Sequence, residues 1–201
     1  GHDRQRHGLR PGVVVKRLGC GDYQLFLQTV GGSNRLALIP FMSLTHGRRL
    51  NEISDARVMS GVVDPAKCAD ALRSINPWQH ELAVWRDDEE AWVGPIVKVK
   101  YQRDRFEITA RDLTAWLERR FLPTDRDITD DLSVIAALFI RDAMDQSPDP
   151  GMTAVPQPCG VEGRRRVKAT TYRRAADELR ELARTGLDYT AIGRTVLFGG
   201  E

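Results

Sequence analysis

Residues 81–99 read ELAVWRDDEEAWVGPIVKV, two apolar runs on either side of an acidic tetrad. Aliphatic and aromatic runs that flank a short polar cluster are typical of a β-hairpin. The tetrad, Asp87 to Glu90, lacks the alternating carboxylates and the glycine of a calcium loop, so we interpret it as a solvated turn. Pro95 cannot donate a backbone hydrogen bond, which predicts an edge strand or a bulge at that point.

Further strand patterns surround this hairpin, at residues 13–15, 23–28, 35–39, 57–63 and 104–110. Short strands at this spacing favour a closed barrel or a sandwich over a βαβ fold. We therefore predict a small antiparallel β-barrel. A short helix is expected over 66–75, because Asp64-Pro65 supplies a cap followed by a helix-start proline.

The pattern changes to helices after residue 110. Asp112 is expected to cap a helix with Phe121 on its inner face, and Thr129 to cap a longer, largely buried helix. A loop over 147–163, a third helix over 171–185 with Tyr172 facing inward, and a last β-run over 188–198 follow. That run lies so near the end of the sequence that we expect its partner strand outside the chain.

These patterns predict an α+β fold in two domains. Residues 1–122 form the N-terminal small antiparallel β-barrel, and residues 123–201 form a helical α+β domain that we expect to be incomplete.

Composition narrows the possible functions. Lys and Arg number 30 against 28 Asp and Glu, a net charge of +2. Such a balance produces no strong field, so specific nucleic-acid binding is not expected. Cys20, Cys68 and Cys159 are odd in number and widely spaced, which favours reduced thiols over disulfides or a zinc site. No segment has the roughly 20 apolar residues of a membrane span, and we predict neither a cofactor nor a bound metal.

Catalytic patterns are weak, and we predict that the protein is not an enzyme and has no catalytic residues. The histidines, His2, His7, His46 and His80, are scattered without metal-ligand spacing. Ser54-Asp55 and Thr45-His46 match no recognisable nucleophile motif. One alternative is a small hydrolase with a cleft near His46, His80 and Asp55, which requires these side chains to converge. Another is an OB-like nucleic-acid-binding module that uses the basic run 164–168.

The four tryptophans offer a different reading. Tryptophan can stack on bases or sugars, but more often it fills a core or anchors a protein interface. We predict an interface role for a set of aromatic and basic residues, Trp78, Trp85, Trp92, Arg48 and Arg49.

An ordered series of motifs extends along the chain. The motifs are RLNEIS at 49–54, PWQHEL at 77–82, VWRD at 84–87, VGPI at 93–96, ARDL at 110–113 and DYTAIGRTV at 188–196. With this series the chain resembles the minor tail proteins of actinobacterial siphophages, a group similar to the tail-tip or baseplate hub of long-tailed phages. The resemblance covers most of residues 10–199.

The resemblance implies a structural virion protein located at the tail tip. Members of the group begin with a β-barrel hub domain, continue with an α+β domain, and assemble as a homotrimer ring that closes the tail tube. The implied partners are the distal tail protein, the tail tube, and spike or fibre proteins, in a role that serves host attachment and DNA delivery. Related hub proteins are usually longer, which implies that this chain holds only their front portion.

Overall fold

The computed structural model describes residues 21–61 and 70–199. The predicted strand at 13–15 and the cap Asp64-Pro65 lie outside the described residues, as do Cys20, Cys68, His2 and His7.

Seven strands form one antiparallel sheet in the order β2-β1-β5-β6-β7-β4-β3. The strands are β1 Tyr23–Thr29, β2 Arg35–Leu38, β3 Ser43–His46, β4 Asp55–Gly61, β5 His80–Arg86, β6 Glu89–Tyr101 and β7 Arg105–Arg111. Two short helices accompany them, a 3₁₀ helix at Val30–Gly32 and the single turn α1 at Asp70–Arg73.

The predicted hairpin is confirmed as β5–β6, at the centre of the sheet. Asp87 and Asp88 in its turn have φ of 51° and 67°. Two successive left-handed residues are typical of a type I′ turn, whose twist matches that of the strands. The bulge expected near Pro95 is also present, since the register against β7 shifts between Ile96 and Lys98.

The predicted closed barrel is wrong for the part of the chain that the structure describes, because β2 and β3 are not paired and the sheet is open. The sheet is nevertheless rolled. Only residues 39–42 link β2 to β3, so these end strands approach within roughly 18 Å where the link joins them. The link extends the pairing of each end strand with its inner neighbour, since Ile39 N donates to Leu25 O at 2.8 Å and Met42 N to Met59 O at 2.7 Å.

The second half is α+β, as predicted. A 3₁₀ helix at Leu113–Arg119 leads into β8 Arg126–Asp131, α2 Leu132–Met144, β9 Thr153–Val155, β10 Glu162–Val167, a 3₁₀ turn at Ala169–Thr171, α3 Ala175–Arg184, β11 Asp188–Ile192 and β12 Thr195–Gly199. Strand β8 pairs with β10, and β12 lies between β11 and β9, parallel to β9. The expectation that the last strand has its partner outside the chain is therefore wrong.

Local caps explain where two helices start. Asp112 Oδ1 accepts a hydrogen bond from Thr114 N at 2.9 Å, which confirms the predicted cap, although the helix is 3₁₀. Thr129 is not a cap, because it lies within β8. Asp131 caps α2 instead by accepting from Ser133 N at 2.9 Å. Hydrogen bonds from Ser133 and Cys159 hold the pKa of Asp131 well below its usual range.

Within residues 21–61 and 70–199, two apolar clusters fill the interior. The first lies inside the rolled sheet and includes Leu25, Val58, Leu82, Trp92 and Ile108. The second joins the sheet to the second half, because Ala83 and Val93 pack in one cluster with α2, α3 and β12. Within the described residues, no helix is long and apolar enough to span a membrane.

Candidate interaction surface

Asn51 connects two of the sequence motifs, RLNEIS and DYTAIGRTV. Its φ of 58° is left-handed, a conformation that asparagine tolerates better than most residues. Asn51 N donates to Tyr189 O at 2.9 Å, Nδ2 donates to Asp188 Oδ1 at 2.6 Å, and Oδ1 accepts from Tyr189 N at 2.8 Å. Tyr189 Oη donates back to Asn51 O at 3.0 Å, and burial raises the pKa of Tyr189 to about 12. This contact holds β11 against the β3–β4 loop.

Replacing Asn51 with alanine is expected to lower the free energy of unfolding by about 2–4 kcal/mol. The variant loses two side-chain hydrogen bonds, leaves their partners short of one bond each, and keeps a left-handed backbone that alanine disfavours. Urea denaturation measures the change. Asn34→Ala, at an exposed turn, is the matched control and should stay within about 0.5 kcal/mol of the parent chain. A loss below about 1 kcal/mol for Asn51→Ala would contradict this account.

A buried ion pair is a second contact between the large sheet and the second half of the chain. Glu81 is 0% exposed, and its Oε2 accepts from Arg194 Nη2 at 2.5 Å. The same carboxylate accepts from Gly31 N at 3.3 Å and Gln28 Nε2 at 3.4 Å, while Arg194 Nη1 donates to Pro150 O at 2.5 Å. Burial raises the pKa of Glu81, and the Arg194 guanidinium opposes that rise. Arg194 lies in the β11–β12 turn, so this pair fixes the turn on the sheet.

Ser54, a residue that could be mistaken for a nucleophile, is part of a structural cluster. Its Oγ donates to Asp112 Oδ2 at 2.6 Å and accepts from Trp92 Nε1 at 3.2 Å, and all three residues are buried. Because a carboxylate and an indole use the hydroxyl, the cluster joins β4, β6 and the 3₁₀ helix.

The hydrolase alternative requires His46 and His80 to converge, and they do not. The His46 ring contacts Tyr23, with centroids 5.9 Å apart, and Tyr23 pairs with Arg86 at the far end of β5 from His80. Six residues of strand separate His80 from Arg86, a distance of roughly 20 Å. A cavity of about 410 Å³ does lie beside His46, lined also by Arg48, Arg49 and Asp55. Burial and the neighbouring Arg48 and Arg86 lower the pKa of His46.

The basic run at 164–168 is not the free loop that the nucleic-acid alternative requires. Most of it forms β10. Arg164 pairs with Asp127 through two contacts of 2.8 Å, and Arg165 Nη2 donates to Glu181 O at 3.2 Å. The guanidinium groups of Arg164 and Arg165 therefore already bind other residues of the chain. Among the described residues, no group of three or more His, Cys, Asp or Glu side chains could hold a metal ion.

The predicted interface residues occupy three different environments. Trp92 is 2% exposed and belongs to the core. Trp85 and Trp78 are half-buried, and each lies under a guanidinium, Arg35 at 4.2 Å and Arg119 at 4.5 Å from the respective ring. Arg48 and Arg49 are exposed beside the His46 cavity, where Arg48 donates to Ala91 O at 3.2 Å. Contact of these residues with a partner stays a prediction.

Trp78 belongs to a surface that the sequence did not reveal. We call it the aromatic–arginine surface, formed by Trp78, Arg119, Phe121, Tyr172 and Arg174. Phe121 and Tyr172 were expected to face inward, but they are 42% and 72% exposed and contact each other edge to face at 6.2 Å. Tyr172 lies before α3, at the end of the 3₁₀ turn, and its backbone is left-handed, with φ of 49°. Phe121 is aligned with Arg174 by an isolated β-bridge. Exposed Trp, Tyr and Arg are the residues that dominate binding energy at protein interfaces.

The fold is similar to that of solved phage tail proteins. The chain superposes on the prophage tail protein gp18 from Listeria monocytogenes EGD-e with a TM-score of 0.56 and 8% identity, and on the 43 kDa tail protein of prophage MuSo2 from Shewanella oneidensis with 0.57 and 14%. Each match covers 88% of this chain. A match to the lidded Francisella PdpA–VgrG complex has a TM-score of 0.50 and 11% identity, and covers 92% of this chain and 29% of the other.

The chain spans about half the length of the two tail proteins, 50% and 53%. By sequence, no family model and no curated protein matches it. At these identities the likeness concerns the fold.

Proposed function

We propose that this protein is a structural subunit of a phage tail, located in the tail-tip or baseplate hub. The observation that carries the proposal is the fold, which tail proteins from two prophages share over 88% of the chain. The motif series that resembles actinobacterial siphophage minor tail proteins supports the same assignment. The separation of His46 from His80 further favours a structural role over the hydrolase alternative.

In this proposal the chain assembles as a homotrimer ring that closes the tail tube. The distal tail protein and the tube lie on one side, and spike or fibre proteins lie on the other. The ring serves host attachment and DNA delivery. The interface predicted from sequence, around Trp78, Trp85, Arg48 and Arg49, is part of this model, whereas Trp92 contributes through the core.

The aromatic–arginine surface supports an assembly role on physical grounds. Arg119 and Arg174 are exposed beside two exposed aromatic rings. Glu118, an acidic residue at this surface, is already paired with Arg111 at 2.7 Å. An apolar centre flanked by exposed guanidinium groups suits an acidic surface on a neighbouring subunit.

The purified chain is expected to be a trimer by light scattering coupled to size exclusion. The double variant Arg119→Ser/Tyr172→Ser should weaken assembly about 10- to 100-fold, because such anchor residues typically contribute about 1–3 kcal/mol. Arg103→Ser, at the exposed β6–β7 turn, is the matched control and should leave assembly unchanged.

A chain that stays monomeric up to about 100 μM would count against the ring, since a stable interface of standard size associates well below that concentration. In assembled tails, antibody labelling of this chain should decorate the tip. Labelling along the whole tube would refute the hub assignment while leaving a tail role in place.

A further inference from the structure

An apolar groove lies along the outer side of α2. We call it the α2 groove. It encloses about 590 Å³ and is lined by side chains that include Ile128, Val134, Leu138, Met144, Met152 and Pro156. Val134 is 37% exposed although it lies on a helix whose other faces are buried. An apolar groove of this size on a folded surface is typical of a binding site.

Two strands that each have an unpaired edge contribute residues to the groove lining. Strand β8 contributes Ile128 to the lining and pairs with β10 along one edge, while β9 contributes Ala154 and pairs with β12 along one edge. Within residues 21–61 and 70–199, neither β8 nor β9 has a strand on its second edge. An unpaired edge offers backbone N–H and C=O groups to an extended segment, which is the usual mode of strand addition.

The rim of the groove is acidic. Three carboxylates, Asp130, Asp145 and Asp149, line it together with one guanidinium, Arg141. The nearby Arg126 binds Asp142 through two contacts of 2.9 Å. Arg120 interacts electrostatically with Asp149, so Asp130 and Asp145 carry the acidic character of the rim. Asp145 and Asp130 are exposed. This charge distribution favours an occupant that carries lysine or arginine.

We propose that the α2 groove binds an extended segment of a partner protein, with aliphatic side chains at alternate positions and a basic residue at each end. The aliphatic side chains pack on α2, and the main chain pairs with a bordering strand edge. The basic ends meet Asp130 and Asp145. The inference stands on the groove itself and does not require the tail assignment to hold.

A labelled peptide of sequence KVTVTVTK tests the proposal by fluorescence anisotropy against the full chain. We expect KVTVTVTK to bind saturably, with one peptide per chain. The affinity should be at least 10-fold lower for the charge-reversed peptide EVTVTVTE, and the affinity for KVTVTVTK should fall at high salt. Val134→Arg should weaken binding at least 10-fold by placing a cation on the groove floor, and Asp145→Lys should do the same at the rim. The matched control is Leu36→Arg, an equally exposed aliphatic residue on β2, which should bind as the parent chain does.

Four results would overturn the proposal. They are no binding of KVTVTVTK up to about 1 mM, equal binding of the two peptides, unchanged binding by Asp145→Lys, and self-association of the chain that Val134→Arg abolishes. The last result would assign the groove to a second copy of the chain. Circular dichroism checks that each variant folds. If Val134→Arg does not fold, Asp145→Lys decides, since that residue lies on the exposed rim.

Discussion

Arg194→Met is expected to lower the free energy of unfolding by about 3–5 kcal/mol at pH 7. The variant removes the partner of Glu81, a carboxylate with no solvent exposure. Methionine retains much of the volume of the arginine side chain. The decrease in the free energy of unfolding therefore results mainly from the unpaired buried charge of Glu81. Urea denaturation measures it. The matched control is Arg184→Met, which breaks an exposed pair with Glu181 and should cost under about 1 kcal/mol.

The effect of Arg194→Met should depend on pH with a definite sign. Burial already raises the pKa of Glu81 in the folded chain, and Arg194 lowers it in part. Without Arg194 the folded-state pKa rises further, so the folded state holds its proton to higher pH than the unfolded state does. Stability then falls as pH increases above the ordinary glutamate value. The deficit of the variant should therefore be smallest in acid and largest near neutrality.

A second substitution tests whether the unpaired charge of Glu81 causes the lower stability of Arg194→Met. Glu81→Gln in the Arg194→Met background removes the unpaired carboxylate, so the double variant should be more stable than Arg194→Met alone by about 2 kcal/mol at pH 7. Its stability should also lose the additional pH dependence. A double variant that is less stable than Arg194→Met would show that packing around Arg194, and not charge, dominates.

Gly94→Ala is expected to lower the free energy of unfolding by more than about 3 kcal/mol, or to prevent folding. A Cβ at this position would lie 1.7 Å from Arg111 O and 2.7 Å from Asp112 Cα. Both obstacles are backbone atoms, so no side-chain rotation relieves the contact. The strand β6 and the start of the 3₁₀ helix would have to separate, which also strains the cap made by Asp112. Thermal and urea denaturation give the measurement.

Gly47→Ala is the matched control for Gly94→Ala. A Cβ there meets nothing within 4 Å, and the backbone is not left-handed. The substitution should be neutral or stabilise by up to about 1 kcal/mol, because alanine restricts the unfolded chain. Similar losses for the two variants would mean that the close approach of β6 to Arg111 does not limit the fold.

Local signals in the sequence predicted the elements that local contacts determine. The hairpin over 81–99 depends on the turn that joins its two strands. The 3₁₀ helix at Leu113–Arg119 depends on Asp112, which accepts a hydrogen bond from Thr114 N, two residues along the chain. The predicted cap Thr129 lies instead in β8, which pairs with residues 162–167 some thirty positions later. The helix therefore begins two residues further on, after the Asp131 cap. Pairing over that separation leaves no mark in the local pattern.

The closed barrel and the inward aromatic residues failed for related reasons. Strand count and spacing are the same for a closed and an open sheet, so they do not reveal whether β2 and β3 pair. Helical periodicity placed Tyr172 on a buried face, but α3 begins at Ala175, so Tyr172 is not part of the helix. Of the candidate surface, only Trp78 could be predicted, because the other members are brought together by the bridge between Phe121 and Arg174.

The hairpin β11–β12 has a mechanical consequence for any load that the molecule carries. It is fastened to the large sheet twice, by the Asn51 contact on β11 and by Arg194 in its turn. Tension applied through β12 would therefore reach β5 through Glu81 and the β3–β4 loop through Asn51 at the same moment. The hairpin is therefore held to the large sheet near both of its ends. Cutting either attachment should leave one end held only by its neighbouring strands and the core.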